Sequence, residues 1–296
     1  MNYFLLLIYL TAGPLIVYRN DRSRDAYREL GSSPQFDCVG RVLRKNDPAG
    51  SCVFIGGRYV VSAAHCFMVK DYQPVKFRFG GEVTKGYLAT DPHPDEASNY
   101  KIELNGRKYR IKKITIHPVY LAHGASGDAD IAVLTLAEEV KGLQPAVLNT
   151  SFDERNSVAT GVGYGGSLLA EGQEEADPGE RVRLAGTNVI DSVGGFELNE
   201  IPTRLCMDFD HPLYSLPHNT GDTLPQNLEY CTTGGDSGGG IFREVNGKWE
   251  LLGIHSQIMI DVPLTVKHGY YGSRFYATRI SAFYGWIDAV TDDGDQ

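Results

Sequence analysis

The sequence predicts an all-β protein built from two β units in tandem and closed by a C-terminal helix. Short apolar or alternating runs recur between turn signals, and the 34 glycines indicate many tight turns. Long helical periodicity is missing until the C-terminal end. Many short strands separated by glycine-rich turns are typical of a sandwich or a barrel. Strand signals are about as frequent before residue 150 as after it, which predicts two units.

The strand signals are runs rich in β-branched and aromatic residues, which fit a pleated, half-buried surface. They cover residues 52–57, 59–62, 75–79, 109–116 and 131–136, and then 157–162, 240–243, 249–254 and 275–278. The C-terminal end differs, because Ile280, Phe283, Tyr284, Ile287 and Val290 lie at helical spacing and predict an amphipathic helix. Surface loops are predicted for the least apolar stretches, residues 89–99, 171–180 and 211–228.

The composition excludes several classes of protein. The 296 residues include 28 Lys and Arg against 37 Asp and Glu, so the formal net charge is −9. Hydrophobic residues make up 42% of the chain and charged residues 22%, which fits one large or two small globular domains and excludes a disordered chain. A nucleic-acid-binding protein needs a clustered basic face, so the acidic balance argues against nucleic acid as a partner.

An export signal is expected at the N-terminus. Residues 3–10 are continuously apolar and are followed by small residues and Pro14, as in a secretory signal with its cleavage zone. The apolar stretch over 3–18 is interrupted at Gly13 and is shorter than the about 20 residues of a membrane span. We therefore expect a signal peptide over 1–13, a secreted protein and no membrane association after signal removal. A buried strand is the alternative.

The five cysteines predict disulfide bonds. An odd number in an exported chain leaves at least one cysteine unpaired. Cys52 and Cys66 lie in one short stretch, and closing that loop is worth about 3 kcal/mol. Cys206 with Cys231 is the second expected pair, which leaves Cys38 free. Because no C-x-x-C or H-x-x-x-H spacing occurs, no metal site is predicted, and no cofactor is expected.

Three segments carry residues suited to nucleophilic catalysis. They are residues 60–66 (VVSAAHC), 128–134 (DADIAVL) and 234–240 (GGDSGGG). Each alone has an ordinary structural interpretation as a structural histidine, a turn aspartate or a flexible glycine linker. Together they fit one chemistry, because a serine hydroxyl needs a histidine base that a buried acid orients. Glycines beside the serine let backbone N–H groups face a developing oxyanion.

These residues resemble the chymotrypsin-like (trypsin-fold) serine endopeptidases over about residues 50–290. The order His, Asp, Ser along the chain is that of the chymotrypsin type of triad. Ser62-Ala-Ala-His65-Cys66 resembles the His motif, Asp130-Ile-Ala-Val-Leu the Asp motif and Gly235-Asp-Ser237-Gly-Gly the nucleophile motif. The resemblance implies two tandem six-stranded antiparallel barrels. An N-terminal segment over 14–40 would precede a first barrel over 41–150 and a second barrel with the C-terminal helix over 151–296.

The resemblance also implies a role for each residue. Ser237 would attack the scissile carbonyl, His65 would take and later return its proton, and Asp130 would orient His65. The backbone N–H groups of Gly235 and Ser237 would form the oxyanion hole. Asp128 is a rival for the acid, but only Asp130 adjoins the Ile-Ala-Val-Leu strand as the motif requires.

Activation departs from the family pattern. Most members are activated by a new Ile-Val-Gly-Gly N-terminus that pairs with the Asp preceding the nucleophile, here Asp236. In this sequence Ile16-Val17 is followed by Tyr18-Arg19 and lies 49 residues before His65, 65 − 16 = 49, which is farther than usual. We therefore expect another partner for Asp236, because an uncompensated buried carboxylate is costly.

The specificity pocket departs as well. Six residues before the nucleophile, where trypsins have Asp, this chain has Cys231, so no preference for Arg or Lys is predicted. Thr232 and His255, which precedes Ser256, match positions that glutamyl endopeptidases of this fold use to bind an acidic side chain. The alternative is that His255 only packs beside its strand. Ser256 is also expected to line the cleft and pair with substrate backbone.

The sequence therefore predicts an exported, monomeric serine endopeptidase acting on protein or peptide substrates. A catalytically weak homologue that serves as a binding or regulatory module is the alternative from another class. An esterase using the same triad is a third interpretation, because the acylation chemistry is shared.

Overall fold

The computed structural model describes residues 16–79, 82–124, 128–172, 182–216, 219–258 and 269–292. The expected signal peptide over 1–13 and most of the predicted loop over 171–180 lie outside these residues. The all-β class is confirmed. The strands up to residue 150 are β1 Ile16–Tyr18, β2 Val39–Arg44, β3 Asp47–Gly56, β4 Tyr59–Ser62, β5 Met68–Phe79, β6 Glu82–Pro94, β7 Tyr100–Leu104, β8 Arg107–Ile116, β9 Ala132–Leu136 and β10 Val147–Leu148.

The remaining strands and the helices follow the same chain order. The strands are β11 Val158–Gly163, β12 Ser167–Leu169, β13 Leu184–Val189, β14 Ser192–Leu198, β15 Ile201–Asp208, β16 Tyr230–Cys231, β17 Gly240–Val245, β18 Lys248–Ile258 and β19 Arg274–Arg279. The helices are α1 Arg24–Gly31, α2 Pro118–His123 and α3 Ile280–Asp292. Short 3₁₀ turns include Ala64–Phe67. None of the helices in the described ranges is long and apolar enough to span a membrane.

The first unit is a closed six-stranded barrel in the order β2-β3-β4-β9-β8-β7, and each neighbouring pair is antiparallel. Its centre is filled by β-branched side chains. Val53 lies opposite Val61, and Val61 lies opposite Val133; all three are fully buried. The strand pattern of Val and Ile therefore specifies both the pairing and the core of this barrel.

The second unit is an eight-stranded sheet. Seven strands follow the order β13-β11-β17-β18-β19-β15-β14, and β10 pairs with β18. A six-stranded antiparallel barrel was expected. The sheet has two additional strands: β14 at one end of the order, and β10, which pairs in parallel with β18. The predicted C-terminal helix is confirmed as α3, which buries Ile280, Phe283 and Ile287 together with the core of the first barrel.

A long hairpin interrupts the first barrel directly after the turn that carries His65. Strands β5 and β6 form a separate two-stranded antiparallel sheet whose ends, Met68 and Pro94, are paired with each other. The sequence predicted a strand at 75–79, which is confirmed, and a loop at 89–99, of which the first part is strand β6. Among the described residues β6 pairs with β5 alone, and the polar composition of that stretch fits such a strand.

Candidate active site

His65 is placed by a buried strand that ends in a short turn. The residues of β4 are fully buried or nearly so, and the turn Ala64–Phe67 follows at once. The strand end is fixed by Ser62, whose Oγ donates to the carbonyl of Ser51 at 2.7 Å. The His65 side chain is 37% exposed, so one face of the imidazole is accessible while its backbone is held.

Asp130 contacts both the ring and the backbone of His65. The Asp130 carboxylate is 1% exposed. Its Oδ2 lies 2.7 Å from Nδ1 of His65, and its Oδ1 accepts the backbone N–H of His65 at 2.8 Å. The hydroxyl of Ser256 donates to Oδ2 at 2.6 Å. The structure therefore joins His65, Asp130 and Ser256, as the sequence predicted for the first two.

The two side chains shift each other's protonation. Burial disfavours the charged Asp130, but the charge of His65 and hydrogen bonds from His65 and Ser256 hold the pKa of Asp130 below its ordinary value. Burial also disfavours a charged imidazole, yet the nearby Asp130 carboxylate raises the pKa of His65 well above its ordinary value. An ionised carboxylate beside a basic imidazole is the arrangement that a general base needs.

The loop of Ser237 is held between the two units. The backbone N–H of Ser51 donates to the carbonyl of Ser237 at 2.8 Å, and the N–H of Gly238 donates to the carbonyl of His255 at 2.9 Å. A Cβ on Gly238 would lie 2.1 Å from the Ser51 carbonyl oxygen, and its φ of 87° favours glycine. This close approach is the physical reason for glycine after the serine.

The Ser237 loop contacts the turn that carries His65, but the hydrogen bond between the two side chains is not formed. Within the described ranges, no hydrogen bond joins the Ser237 hydroxyl to His65, and no backbone hydrogen bond uses the N–H of Gly235 or Ser237. The neighbouring Cys66 has its Sγ 3.8 Å from the Ser237 carbonyl oxygen, so the two segments are in contact. Catalytic hydrogen bonds are often long without substrate and shorten in the complex.

Asp236 is held by backbone donors. It is 2% exposed, and its carboxylate accepts the N–H of Gly165 at 3.0 Å and of Thr233 at 3.2 Å. Burial raises the pKa of Asp236 to about 7, although these bonds oppose the shift. The sequence predicted a partner other than an Ile-Val-Gly-Gly terminus, and these amides are the partners that the described residues provide.

Strand β1 lies beside this aspartate. It runs parallel to β12 and antiparallel to β16, and the N–H of Ile16 donates to the carbonyl of Gly166, next to the Gly165 that binds Asp236. The long spacing to His65 is explained by α1, an eight-residue helix. Ile16 thus reaches the neighbourhood of Asp236 despite the unusual spacing.

Three of the four residues expected to line the specificity pocket are buried, and the fourth, Ser256, donates to Asp130. Cys231, Thr232 and His255 are 0%, 3% and 1% exposed. The His255 ring packs against Tyr230 and Phe275, at centroid distances of 5.7 and 6.3 Å. Burial lowers the pKa of His255 to about 3, so this imidazole is neutral, and burial raises the pKa of the Cys231 thiol.

The predicted disulfide bonds are not formed. All five cysteines are free thiols. Cys206 lies in the eight-stranded sheet, whereas Cys231 lies on β16 in a separate sheet, so their sequence positions gave no guide to distance. Cys52 is fully buried on β3. Cys66 lies near enough to contribute to the raised pKa of Cys52, but its thiol faces the Ser237 carbonyl oxygen at 3.8 Å and forms no bond to Cys52. The expectation that Cys38 is free agrees with the structure.

A cavity of about 390 Å³ adjoins His65. The base of the hairpin β5–β6 forms one wall, and the barrel and α2 form the others. The lining residues are Arg44, His65, Cys66, Met68, Val69, Lys70, Tyr100 and Tyr120. Any substrate segment that occupies this cavity would lie directly beside the imidazole.

Comparison with known proteins places the chain in a family. A family model described as trypsin-like peptidase domain matches residues 50–254, a range that contains His65, Asp130 and Ser237. The chain belongs to the trypsin-like peptidase family. The resemblance inferred from the three motifs is thereby confirmed, and family membership implies peptide substrates.

Individual relatives of this family are distant. The chain is 26% identical over 286 residues to CLIP domain-containing serine protease B15 of Anopheles gambiae, covering 88% of this chain and 67% of that protein. It is 27% identical over 256 residues to Serine protease 41 of Homo sapiens, covering 84% and 70%. Transmembrane protease serine 9 of Rattus norvegicus is 26% identical, covering 93% of this chain but 24% of that protein.

Sequence reasoning missed two residues of the site. The hydroxyl of Thr278 donates to the Asp130 carbonyl at 3.0 Å, and the hydroxyl of Ser51 donates to the Gly235 carbonyl at 3.0 Å. Both are ordinary strand residues in the sequence. Their only signal is a small polar residue at a position that the strand buries, since buried hydroxyls require partners.

Proposed function

We propose that this chain is an exported serine endopeptidase that hydrolyses peptide bonds through Ser237, His65 and Asp130. The observation that carries the proposal is the pairing of His65 Nδ1 with the buried Asp130 carboxylate at 2.7 Å, beside the loop of Ser237. A histidine held in this tautomer presents Nε2 as a base.

The proposed reaction follows from these positions. His65 Nε2 accepts the Ser237 hydroxyl proton while Oγ bonds to the scissile carbonyl carbon. The imidazolium then gives that proton to the leaving amine, and an acyl-enzyme remains. Water attacks the acyl carbonyl in the same way, with His65 again as base and Ser237 as leaving group. Asp130 stays ionised throughout and stabilises the imidazolium.

The oxyanion would be stabilised by the N–H groups of Gly235 and Ser237. Gly235 has a φ of 95°, a conformation that favours glycine, and its carbonyl is held by the Ser51 hydroxyl. This hydrogen bond fixes one peptide plane of the loop. Loss of one oxyanion donor typically costs about 2.7–4 kcal/mol of transition-state stabilisation.

The proposed substrate pocket comprises Cys231, Thr232, His255 and Ser256. A cysteine at position 231 provides no carboxylate for an Arg or Lys side chain, so such substrates should be poor. A neutral His255 retains one N–H donor, and its Nδ1 has no hydrogen-bond partner within the part of the chain that the structure describes. A substrate carboxylate could accept a hydrogen bond from a protonated Nδ1, and a substrate hydroxyl could donate to an unprotonated one. The predicted preference for an acidic side chain can therefore be tested at His255.

A fluorophosphonate probe tests the function. We expect it to label the mature protein at Ser237, with Ser237→Ala and His65→Ala both abolishing labelling and a peptide substrate being cleaved. Thr291→Ala, a change at an exposed α3 hydroxyl outside the site, serves as the control and should label normally. Correctly folded and processed protein that is not labelled would favour the binding-module alternative. Labelling with cleavage of activated esters but of no peptide in a diverse library would favour the esterase.

A further inference from the structure

Asp128, the other candidate for the catalytic acid, binds Arg204 and not His65. Its side chain is 4% exposed and forms an ion pair with Arg204 on β15. Its Oδ2 also accepts the backbone N–H of Phe196 on β14 at 2.7 Å. Asp128 precedes a strand of the first barrel, whereas Arg204 and Phe196 belong to the second sheet. The pair therefore connects the two units two residues ahead of Asp130.

Three neighbouring strands of the second sheet each hold the segment over residues 128–130. Ser256 on β18 donates to the Asp130 carboxylate, and Thr278 on β19 donates to the Asp130 carbonyl. Arg204 on β15 binds Asp128 and lies directly opposite Thr278 in the strand register. Since β19 lies between β18 and β15, Ser256, Thr278 and Arg204 form a row across the sheet. Arg204 is the last residue of this row and the one that carries a charge.

The local backbone is shaped to bring Arg204 and Asp128 together. Gly195 has a φ of 85°, and a Cβ there would lie 2.6 Å from Asp128 Oδ2 and 2.6 Å from Arg204 Cγ. The pairing of β14 with β15 is irregular between Gly194 and Glu197, as at a β-bulge. The guanidinium also lies 4.5 Å from the Tyr276 ring centroid, a cation–π contact. The Arg204 side chain is thus fixed from two sides.

We propose that Arg204 is a positioning residue for catalysis: by pairing with Asp128 it fixes residues 128–130 on the second unit and so aligns the Asp130 carboxylate with His65. This inference rests on the proposed peptidase function. His65 comes from the first barrel and Ser237 from the second unit, so the Asp130 carboxylate must keep a fixed position relative to both. A displacement of about 1 Å in such a constellation can cost about 100-fold in rate.

The test compares Arg204→Met with Arg243→Met. Arg243 is a matched control, since its side chain is 12% exposed, lies in the same sheet and forms ion pairs with Asp153 and Glu250. For Arg204→Met we expect kcat per titrated active site to fall about 10- to 100-fold with KM changed less than about twofold. The acid limb of the rate profile should also move, because the position of the Asp130 carboxylate and the charge balance at Asp128 both change near His65. The control should do neither.

A spectroscopic readout makes the test independent of turnover. The proton shared between His65 Nδ1 and Asp130 should give a low-field NMR resonance, as in charge-assisted hydrogen bonds. We expect Arg204→Met to shift or broaden this resonance and Arg243→Met to leave it unchanged. Lack of labelling in the wild-type protein would count against the proposed function, while this resonance would still decide the role of Arg204.

The inference is overturned if Arg204→Met keeps the wild-type resonance, kcat and acid limb. It is equally overturned if activity falls only in proportion to the amount of folded protein, with kcat per titrated site unchanged. Should Arg204→Met not fold, Asp128→Asn carries the same test. Asn retains the size of the side chain and an acceptor for the Phe196 N–H while removing the charge that binds Arg204.

Discussion

Ser51 holds the loop of Ser237 at two points. The backbone N–H of Ser51 donates to the Ser237 carbonyl at 2.8 Å, and its hydroxyl donates to the Gly235 carbonyl at 3.0 Å. The same hydroxyl accepts the N–H of Tyr164 at 2.9 Å. Ser51 is fully buried on β3, so a strand of the first barrel sets the conformation of the loop that bears the nucleophile.

Replacement of Ser51 by alanine should therefore reduce both stability and rate. The change leaves the Gly235 carbonyl and the Tyr164 N–H without their partner, which typically costs about 1–3 kcal/mol. The peptide group between Gly235 and Asp236 is also released. It lies between the two donor N–H groups of Gly235 and Ser237, so their alignment should loosen and kcat should fall about tenfold or more while KM changes little. Denaturant unfolding and steady-state kinetics check this. Ser98→Ala, at an exposed hydroxyl that binds Glu96, should leave both unchanged; equal effects would remove the special role of Ser51.

Asp130→Asn should change the pH dependence as well as the rate. The carboxylate raises the pKa of His65, so its loss lowers that pKa and moves the acid limb of kcat/KM to lower pH. The rate should fall about 10⁴-fold, because the amide favours the wrong imidazole tautomer. A pH–rate profile measures both effects. Asp128→Asn should cause a smaller fall, and a reversed order would exchange the roles assigned to the two aspartates.

The buried carboxyls of the second unit should make the protein less stable as the pH rises. Burial, and then repulsion from Asp208, raises the pKa of Asp191 to about 8 and that of Asp210 to about 7. The ordinary value is 3.8. The folded state therefore keeps protons that the unfolded state releases between about pH 4 and 8, and stability is lost over that range.

Asp191→Asn should flatten this dependence and raise the melting temperature at pH 8. The amide can still accept the N–H of Asp208, which Asp191 accepts at 3.0 Å. Thermal unfolding from pH 4 to 8 provides the measurement. Asp288→Asn on the exposed face of α3 is the control, and identical pH profiles for the two variants would contradict the prediction.

Cleavage between residues 15 and 16 should increase activity. The new ammonium would lie at the Gly166 carbonyl, beside the Gly165 that binds Asp236. An ion pair there would stabilise the buried carboxylate and lower its pKa. The rate of fluorophosphonate labelling should be higher for a chain that begins with free Ile16 than for the same chain acetylated at Ile16. Equal rates would mean that the amides of Gly165 and Thr233 suffice for Asp236.

Peptides with Arg before the scissile bond should be cleaved at least about tenfold more slowly than those with Phe or Glu. The proposed pocket has Cys231 and no carboxylate that could pair with a guanidinium. If Glu is preferred over Phe, His255→Ala should remove the preference. Kinetics on three otherwise identical peptides decide this. A Glu preference that survives the substitution would assign His255 to packing against Tyr230 and Phe275.

The parts of the site that are local in sequence were predictable. His65, Asp130 and Ser237 each lie in a segment whose strand, turn and glycine content specify its conformation. The residues that align these segments were not predictable, because they act across the chain: Ser51 contacts a residue 184 positions away, and Thr278 one 148 positions away. The sequence of one strand does not specify its register against a distant strand, and the predicted pairing of Cys206 with Cys231 failed for the same reason.

The hairpin β5–β6 is structurally separate from the barrel that carries it. Its ends, Met68 and Pro94, pair with each other, and its strands form a sheet of their own, so the hydrogen bonds that close the barrel do not pass through it. Its base nevertheless walls the cavity beside His65. The length and the side chains of that wall can therefore be changed by shortening or replacing the hairpin. The barrel that positions the imidazole would keep all of its own strand pairings.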